Sequence, residues 1–265
     1  MKLIVADLDG TLIHKKMMTD QTKTTIALLQ KSGFMFTLAT GRHKDATRKL
    51  VEALNIHIPV ICTNGAVIYD FDREQSIHKD IIDEAIVKAV LTVLDSYKTD
   101  YLIYTTENIV STKKAKDKLH ERIGTFDSVV VDPNERLSFL STGVLKILLI
   151  EENDKILDDI RHKLKDIKGI YLLQSQKSFL DIGNIEANKG RALEKLALHL
   201  GISLEEVLAI GDQENDLSMI KKAKIGVAMG NAEDILKKEA SFITKPFDEE
   251  GFTYAIERFI LKPKK

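Results

Sequence analysis

The 265 residues contain a single cysteine, Cys62, so no internal disulfide can form. No apolar stretch of signal-peptide length opens the chain, because the run after Met1 extends only from Leu3 to Ala6. A run of about 18 apolar residues is also missing, which excludes a helical membrane span. Neither charge is in excess: 39 Lys and Arg face 40 Asp and Glu, for a net charge of −1. A nucleic-acid partner is therefore not implied. There is no Gly-x-Gly-x-x-Gly loop and no Gly-x4-Gly-Lys-Ser/Thr loop, which argues against dinucleotide and P-loop sites. No His-x-x-x-His pair or cysteine cluster suggests zinc. The expectation is a cytoplasmic protein with no membrane or nucleic-acid partner, monomeric or a weak homodimer. The lysines at the end (Lys262, Lys264, Lys265) read as a solvated tail.

What is present is the composition of an ordinary globular protein, 44% hydrophobic and 30% charged. The length suits one large domain or two modest ones. Short apolar runs at 2–6, 34–39, 59–62, 207–211 and 224–228 are apolar on both faces, as buried parallel strands are. Helical patterning over 22–32, 43–54, 188–200, 213–222 and 251–261 alternates with them. This alternation predicts an α/β fold, a Rossmann-like parallel sheet with helices on both faces. The stretch from about 80 to 187 has a different texture. Helical patterning at 83–96 and 153–166 mixes there with strand-like runs at 100–105, 144–150, 170–174 and 177–182. It reads as an α+β module inserted between 1–79 and 188–265.

In doubly wound sheets ligands bind beyond the carboxyl ends of the strands. The first such end is Asp7-Leu8-Asp9-Gly10-Thr11, two carboxylates at the rim of the sheet with a glycine to turn the chain. Asp is common in turns; the preceding strand and following Gly-Thr favour a functional pair. A second end gives Thr40-Gly41-Arg42, where a hydroxyl, the free N–H groups of a helix start and a cation suit a phosphate, although Thr40 reads equally as a helix cap. A third gives Thr63-Asn64-Gly65, a turn pair at the same edge. In Asn188-Lys189-Gly190, Asn188 is an N-cap, which puts Lys189 in the first turn of a helix. A cation there is disfavoured by the helix dipole, so an anion nearby would explain it; taken alone, the residue reads as readily as an exposed lysine pointing into water. Finally, Gly211-Asp212-Gln213-Glu214-Asn215-Asp216 clusters acids after a strand, and magnesium takes such carboxylate oxygens.

In this order the motifs resemble those of the haloacid dehalogenase superfamily, and specifically its Cof-type phosphatases. Thr-Asn-Gly-Ala (63–66), Val-Ala-Met-Gly-Asn-Ala (227–232) and Glu-Glu-Gly (249–251) fit as well. The resemblance implies a catalytic core at 1–79 and 188–265 carrying a cap domain at 80–187. It implies that Asp7 attacks phosphorus and that Asp9 protonates the leaving oxygen and then activates water. Magnesium would be held by Asp7, Asp212 and the main-chain carbonyl of Asp9. Thr40, Lys189 and Asn215 would bind phosphoryl oxygens, with Leu8, Gly41, Arg42 and Asn64 in the same phosphate and substrate set. Asp216 would support Lys189 or the metal's waters. The implied partner is a small phosphorylated metabolite, such as a sugar phosphate or phosphorylated cofactor. A phosphomutase on the same plan, or a non-catalytic metabolite sensor, is the alternative. Lys113, Lys114 and Lys146 in the middle region are as compatible with solvation as with function.

Overall fold

The computed structural model describes residues 1–15, 17–123 and 127–262. Lys264 and Lys265 of the lysine-rich end lie outside them. The chain begins with β1 (Leu3–Ala6), α1 (Asp20–Lys31), β2 (Met35–Leu38), α2 (Lys44–Ala53), β3 (Val60–Cys62), β4 (Val67–Asp70) and β5 (Gln75–Lys79). The middle holds α3 (Glu84–Ser96), β6 (Asp100–Thr105), β7 (Ile109–Ser111), α4 (Lys113–Ile123), β8 (Val129–Val130), β9 (Val144–Ile150), α5 (Asp154–Leu164), β10 (Ile170–Gln176) and β11 (Phe179–Asn184). Then follow α6 (Lys189–His199), β12 (Val207–Gly211), α7 (Leu217–Lys222), β13 (Ile225–Ala228), α8 (Asp234–Glu239), β14 (Phe242–Ile243) and α9 (Gly251–Ile256). None of the described helices is long and apolar enough to cross a membrane. The elements sort into two compact units. One comprises Met1–Arg42, Thr47–His78 and Asn188 onward; the other comprises His43–Ala46 and Lys79–Ala187.

The first unit is built on a parallel sheet in the order β14-β13-β12-β1-β2. Its central strands are rich in Val, Ile, Leu and Ala and buried on both faces, as helices on either side require. β1 lies between β12 and β2, with Ala6 level with Ile210 and Leu38. Three adjacent strands thus end together, immediately before Asp7, Ala39-Thr40 and Asp212. α6 is capped by Asn188, whose side chain accepts the N–H of Arg191, and it buries Leu193, Leu196 and Ala197. The run at 59–62 departs from the expected pattern. A parallel bridge between Ala39 and Ile61 continues the sheet's order. On its other edge β3 is antiparallel to β4, so the run at 59–62 is a parallel neighbour on one side and the first strand of a hairpin on the other. Thr63, Asn64 and Gly65 all have positive φ (52°, 55° and 95°), and this left-handed run folds the chain straight back into a hairpin. The expected helix at 213–222 is a short 3₁₀ turn followed by α7, and the one at 251–261 widens into a π-helical turn at Glu257–Leu261.

The second unit is a six-stranded sheet in the order β10-β11-β9-β6-β7-β8, antiparallel except between β7 and β8. Leu91 and Leu94 of α3 and Leu157, Ile160 and Leu164 of α5 pack on Tyr101, Ile103, Ile147, Leu149, Leu180 and Ile182. The alternate residues Leu102, Tyr104, Leu148 and Ile150 form a second apolar cluster on the opposite face. Lys146 also lies on that face. It is buried, pairs with Asp181 at 2.8 Å and sits over the Tyr104 ring, so it is not a solvated lysine. Lys114 pairs with Asp100 at 3.0 Å. The strands β7 and β8 and the helix α4 have no counterpart in the sequence reading.

The burial pattern of α6 has a direct consequence for stability. Leu196 is fully buried, whereas Leu198, two residues on, is 82% exposed. Leu196→Ala should cost about 2–5 kcal/mol in urea unfolding. Leu198→Ala should change stability by no more than about 0.5 kcal/mol. Equal costs would mean that the helix does not present the face described.

Candidate active site

Asp7 follows β1 and its N–H donates to the Ile210 carbonyl of β12 at 2.9 Å, so the backbone is still held by the sheet where the carboxylate emerges. The carbonyl of Leu8 accepts the N–H groups of Leu12 and Ile13, and this turn is closed further by Gly10 N–H to the Ile13 carbonyl at 2.7 Å. Leu8 is fully buried, so its side chain belongs to the core and only its main chain is left for a ligand. Gly10 has φ +99°, and a Cβ there would run into the Asp212 carboxylate. The next residue supplies a bond to that same carboxylate: Thr11 Oγ1 donates to Asp212 Oδ1 at 2.8 Å. The Gly-Thr of the first motif therefore makes room for, and then fixes, an acid 201 residues away.

Lys189 is the centre of the cluster. It is fully buried, and its Nζ donates to Asp7 Oδ1 and to Asp216 Oδ1, each at 2.5 Å. The anions that a lysine at a helix start calls for are these two carboxylates. Asp216 is fully buried too, and its second oxygen accepts the N–H groups of Asp212 (2.8 Å) and Gln213 (3.0 Å). A side chain at Gly211 would overlap this carboxylate, which explains the glycine at the end of β12.

The electrostatics of this group are unbalanced. One carboxylate oxygen from each of Asp7, Asp212 and Asp216 lies within 4.8 Å of the others, with one ammonium among them. Burial pushes the Asp7 carboxyl well above its ordinary value; Asp216 adds to the rise and Lys189 opposes it. Burial and then the Asp216 charge push Asp212 up to about 7, against the Thr11 hydrogen bond. For Lys189 burial works against the charge, but Asp216 and Asp7 outweigh it and raise the amine above the ordinary lysine range. Three buried acids sharing a single cation form a hard oxygen donor set with negative charge to spare. That fits a divalent ion of the magnesium type. Both oxygens of Asp216 are already engaged, so Asp7 and Asp212 are the carboxylates that could hold such an ion.

Around this centre the remaining expected residues form pairs. Asp9, exposed beyond Asp7, takes both prongs of the Arg42 guanidinium: Nε to Oδ2 at 2.8 Å and Nη2 to Oδ1 at 2.5 Å. Thr40 is buried, and its Oγ1 accepts the Arg42 N–H at 3.1 Å. Asn215 Nδ2 donates to Asn64 Oδ1 at 3.1 Å, while Asn215 Oδ1 has no hydrogen-bond partner among the described residues. Gly41 leaves space for the Asn64 amide, which a Cβ would meet at 2.7 Å. Gly65 lies so close to the start of α6 that a Cβ would meet the Lys189 N–H nitrogen at 2.9 Å, so the left-handed turn abuts the helix that carries the lysine. Thr11 and Thr63 have no role in the sequence expectations; Thr11 bonds Asp212, and the Thr63 N–H donates to the Arg42 carbonyl at 2.9 Å.

The sequence profile of the haloacid dehalogenase-like hydrolases matches residues 4–256. The 5-amino-6-(5-phospho-D-ribitylamino)uracil phosphatase YwtE of Bacillus subtilis is 30% identical over 286 residues, with 98% of each chain covered. The pyridoxal phosphate phosphatase YbhA of Escherichia coli is 28% identical over 258 residues, covering 91% of this chain and 92% of that protein. A solved haloacid dehalogenase-like hydrolase from Bacteroides thetaiotaomicron superimposes with a TM-score of 0.88 at 29% identity, covering 98% of this chain and 99% of that one. With a profile match that spans nearly the whole chain, and the same fold in a solved member, this chain belongs to the haloacid dehalogenase-like hydrolases.

Proposed function

We propose that this hydrolase is a magnesium-dependent phosphatase for small phosphate monoesters, working through a phosphorylated Asp7, with the unit from Lys79 to Ala187 as its cap. The observation that carries the reading is the buried Lys189 ammonium, which holds Asp7 and Asp216 beside Asp212. Relatives named as phosphatases of 5-amino-6-(5-phospho-D-ribitylamino)uracil and of pyridoxal phosphate support a small phosphorylated metabolite as the substrate class.

In the first half-reaction an Asp7 oxygen attacks phosphorus. The bond from phosphorus to the ester oxygen breaks, and Asp9 gives its proton to that oxygen, releasing the alcohol. In the second, water attacks the phosphorus of the aspartyl-phosphate, and Asp9 takes a proton from it. The bond to Asp7 breaks, freeing inorganic phosphate and restoring the carboxylate. Splitting one displacement into two lets a fixed carboxylate do what water does slowly. Asp7 is an anion approaching an anion, and Lys189 lowers that repulsion because it sits on Asp7 itself. Asp7, Asp212 and the main-chain carbonyl of Asp9 would hold magnesium. The ion, when bound, supplies further positive charge at the phosphoryl oxygens. Thr40 and Asn215 would add donors to the same oxygens; Asn215 Nδ2 carries two N–H groups, of which the bond to Asn64 uses one.

Asp7→Asn should lower turnover of 4-nitrophenyl phosphate by at least about a thousandfold, as loss of a nucleophile does elsewhere. The variant should keep the native circular dichroism spectrum. Undiminished turnover would remove Asp7 from the mechanism. Chelation by EDTA should abolish wild-type activity and added magnesium should restore it; activity indifferent to chelation would overturn the metal assignment. Asp216→Ala leaves Lys189 with one anion and frees the N–H groups of Asp212 and Gln213. It should therefore lower both stability and activity, by about 3–5 kcal/mol for a broken buried pair in thermal or urea unfolding. An unchanged unfolding midpoint would contradict its role as the anchor of the loop.

A further inference from the structure

Asp7 and Asp9 lie two residues apart, yet each has its own cation. The Asp7 carboxylate is served by Lys189; among the described residues, the hydrogen-bond partner of the Asp9 carboxylate is Arg42. The contact is a two-point fork, one nitrogen to each oxygen, which fixes the plane of the carboxyl group as a single contact does not. Arg42 is itself held at the sheet edge. Its N–H donates to Thr40 Oγ1, and its carbonyl accepts the Thr63 N–H at 2.9 Å. The side chains of this pair are 30% and 55% exposed, and ion pairs so open to water add little to stability. A bidentate pair at that position calls for a different account.

We propose that Arg42 is the positioning residue of Asp9, aiming its carboxyl group at the ester oxygen and then at the attacking water, rather than a ligand of the phosphoryl group. The inference rests on the reading of Asp9 as the proton carrier given above. Asp9 gives one proton in the first half-reaction and takes one in the second, so it needs a partner that directs it in both states. A guanidinium suits this because it has no acceptor and does not deprotonate, so it orients the carboxyl without itself taking or giving the proton. Lysine keeps the charge but lacks the fork.

The test compares kcat/KM for an aryl ester, 4-nitrophenyl phosphate, with that for an alkyl ester, glycerol 2-phosphate. Nitrophenolate leaves without a proton, whereas the alkoxide needs one. Arg42→Met should lower both values but widen their ratio by roughly tenfold or more, within the range that general acid catalysis contributes. Arg42→Lys should fall between wild type and Arg42→Met. Competitive inhibition by inorganic phosphate should stay within about threefold of wild type, less than the loss of a charged ligand of the phosphoryl group. In an Asp9→Asn background, Arg42→Met should widen the ratio by less than about twofold, because coupled residues are not additive. An equal loss on both esters, with or without weakened phosphate inhibition, would overturn the proposal, as would full additivity with Asp9→Asn. Failure of the wild type to hydrolyse either ester is a separate result, which would overturn the phosphatase reading and this inference with it.

Discussion

A buried ammonium between two buried carboxylates organises this protein. Lys189 is among the largest fully buried side chains of the described residues, and burying its charge is costly unless the geometry compensates. Here it does: Lys189 touches Asp7 on one side and Asp216 on the other, and Asp216 in turn holds the main chain of Asp212 and Gln213. One network thereby ties together the end of β1, the loop after β12 and the start of α6. The glycines follow from the same crowding. Gly10 and Gly211 lie where a side chain would displace Asp212 or Asp216, and Gly65 lies where one would displace the helix start of Lys189. None of the three is there for flexibility; each permits a close approach.

The network also gives two nearby acids different surroundings. Asp7 is 6% exposed and locked to a lysine, whereas the side chain of Asp9 is 55% exposed and forked by an arginine. Chemistry that uses two carboxylates depends on such a division, since one must attack while the other carries a proton. The alternation of the chain after β1 accomplishes it. Asp7 and Asp9 flank Leu8, whose side chain is fixed in the core, so the two acids are held apart by an apolar anchor. Three buried carboxylates around one ammonium make a hard oxygen donor set on the Asp7 and Asp212 side of the cluster, one that a divalent ion would suit.

Much of this arrangement is legible in the sequence because the relevant signals are local. Apolar runs ending in Asp-Leu-Asp, Ala-Thr-Gly and Ile-Gly-Asp mark three strand ends, and in a parallel sheet adjacent ends converge. Lys189 is legible as an anomaly, a cation where the helix dipole disfavours one. What the sequence withholds is pairing across distance. Nothing near Thr11 tells that its hydroxyl meets Asp212, and Arg42 after a Thr-Gly turn reads as a phosphate ligand as readily as a partner for Asp9. The hairpin of β3 and β4 was hidden for a related reason. Asn64-Gly65 reads as a turn, but a positive φ at Thr63 is not the local preference of a β-branched residue; there its N–H meets the Arg42 carbonyl, a partner remote in the chain. Lys146 illustrates the same limit in the other unit, where Asp181 across the sheet and the Tyr104 ring compensate its burial.

The central claim is that the phosphoryl group passes through Asp7, and borohydride trapping addresses it most directly. The enzyme is mixed with 4-nitrophenyl phosphate and magnesium, quenched during turnover and reduced, and the peptide spanning Leu3 to Leu12 is sequenced by mass spectrometry. An acyl phosphate on Asp7 is reduced to the alcohol, so homoserine is expected at position 7, only when substrate and metal are both present. Intact aspartate at position 7 during steady turnover, or homoserine at position 9 in its place, would contradict the account.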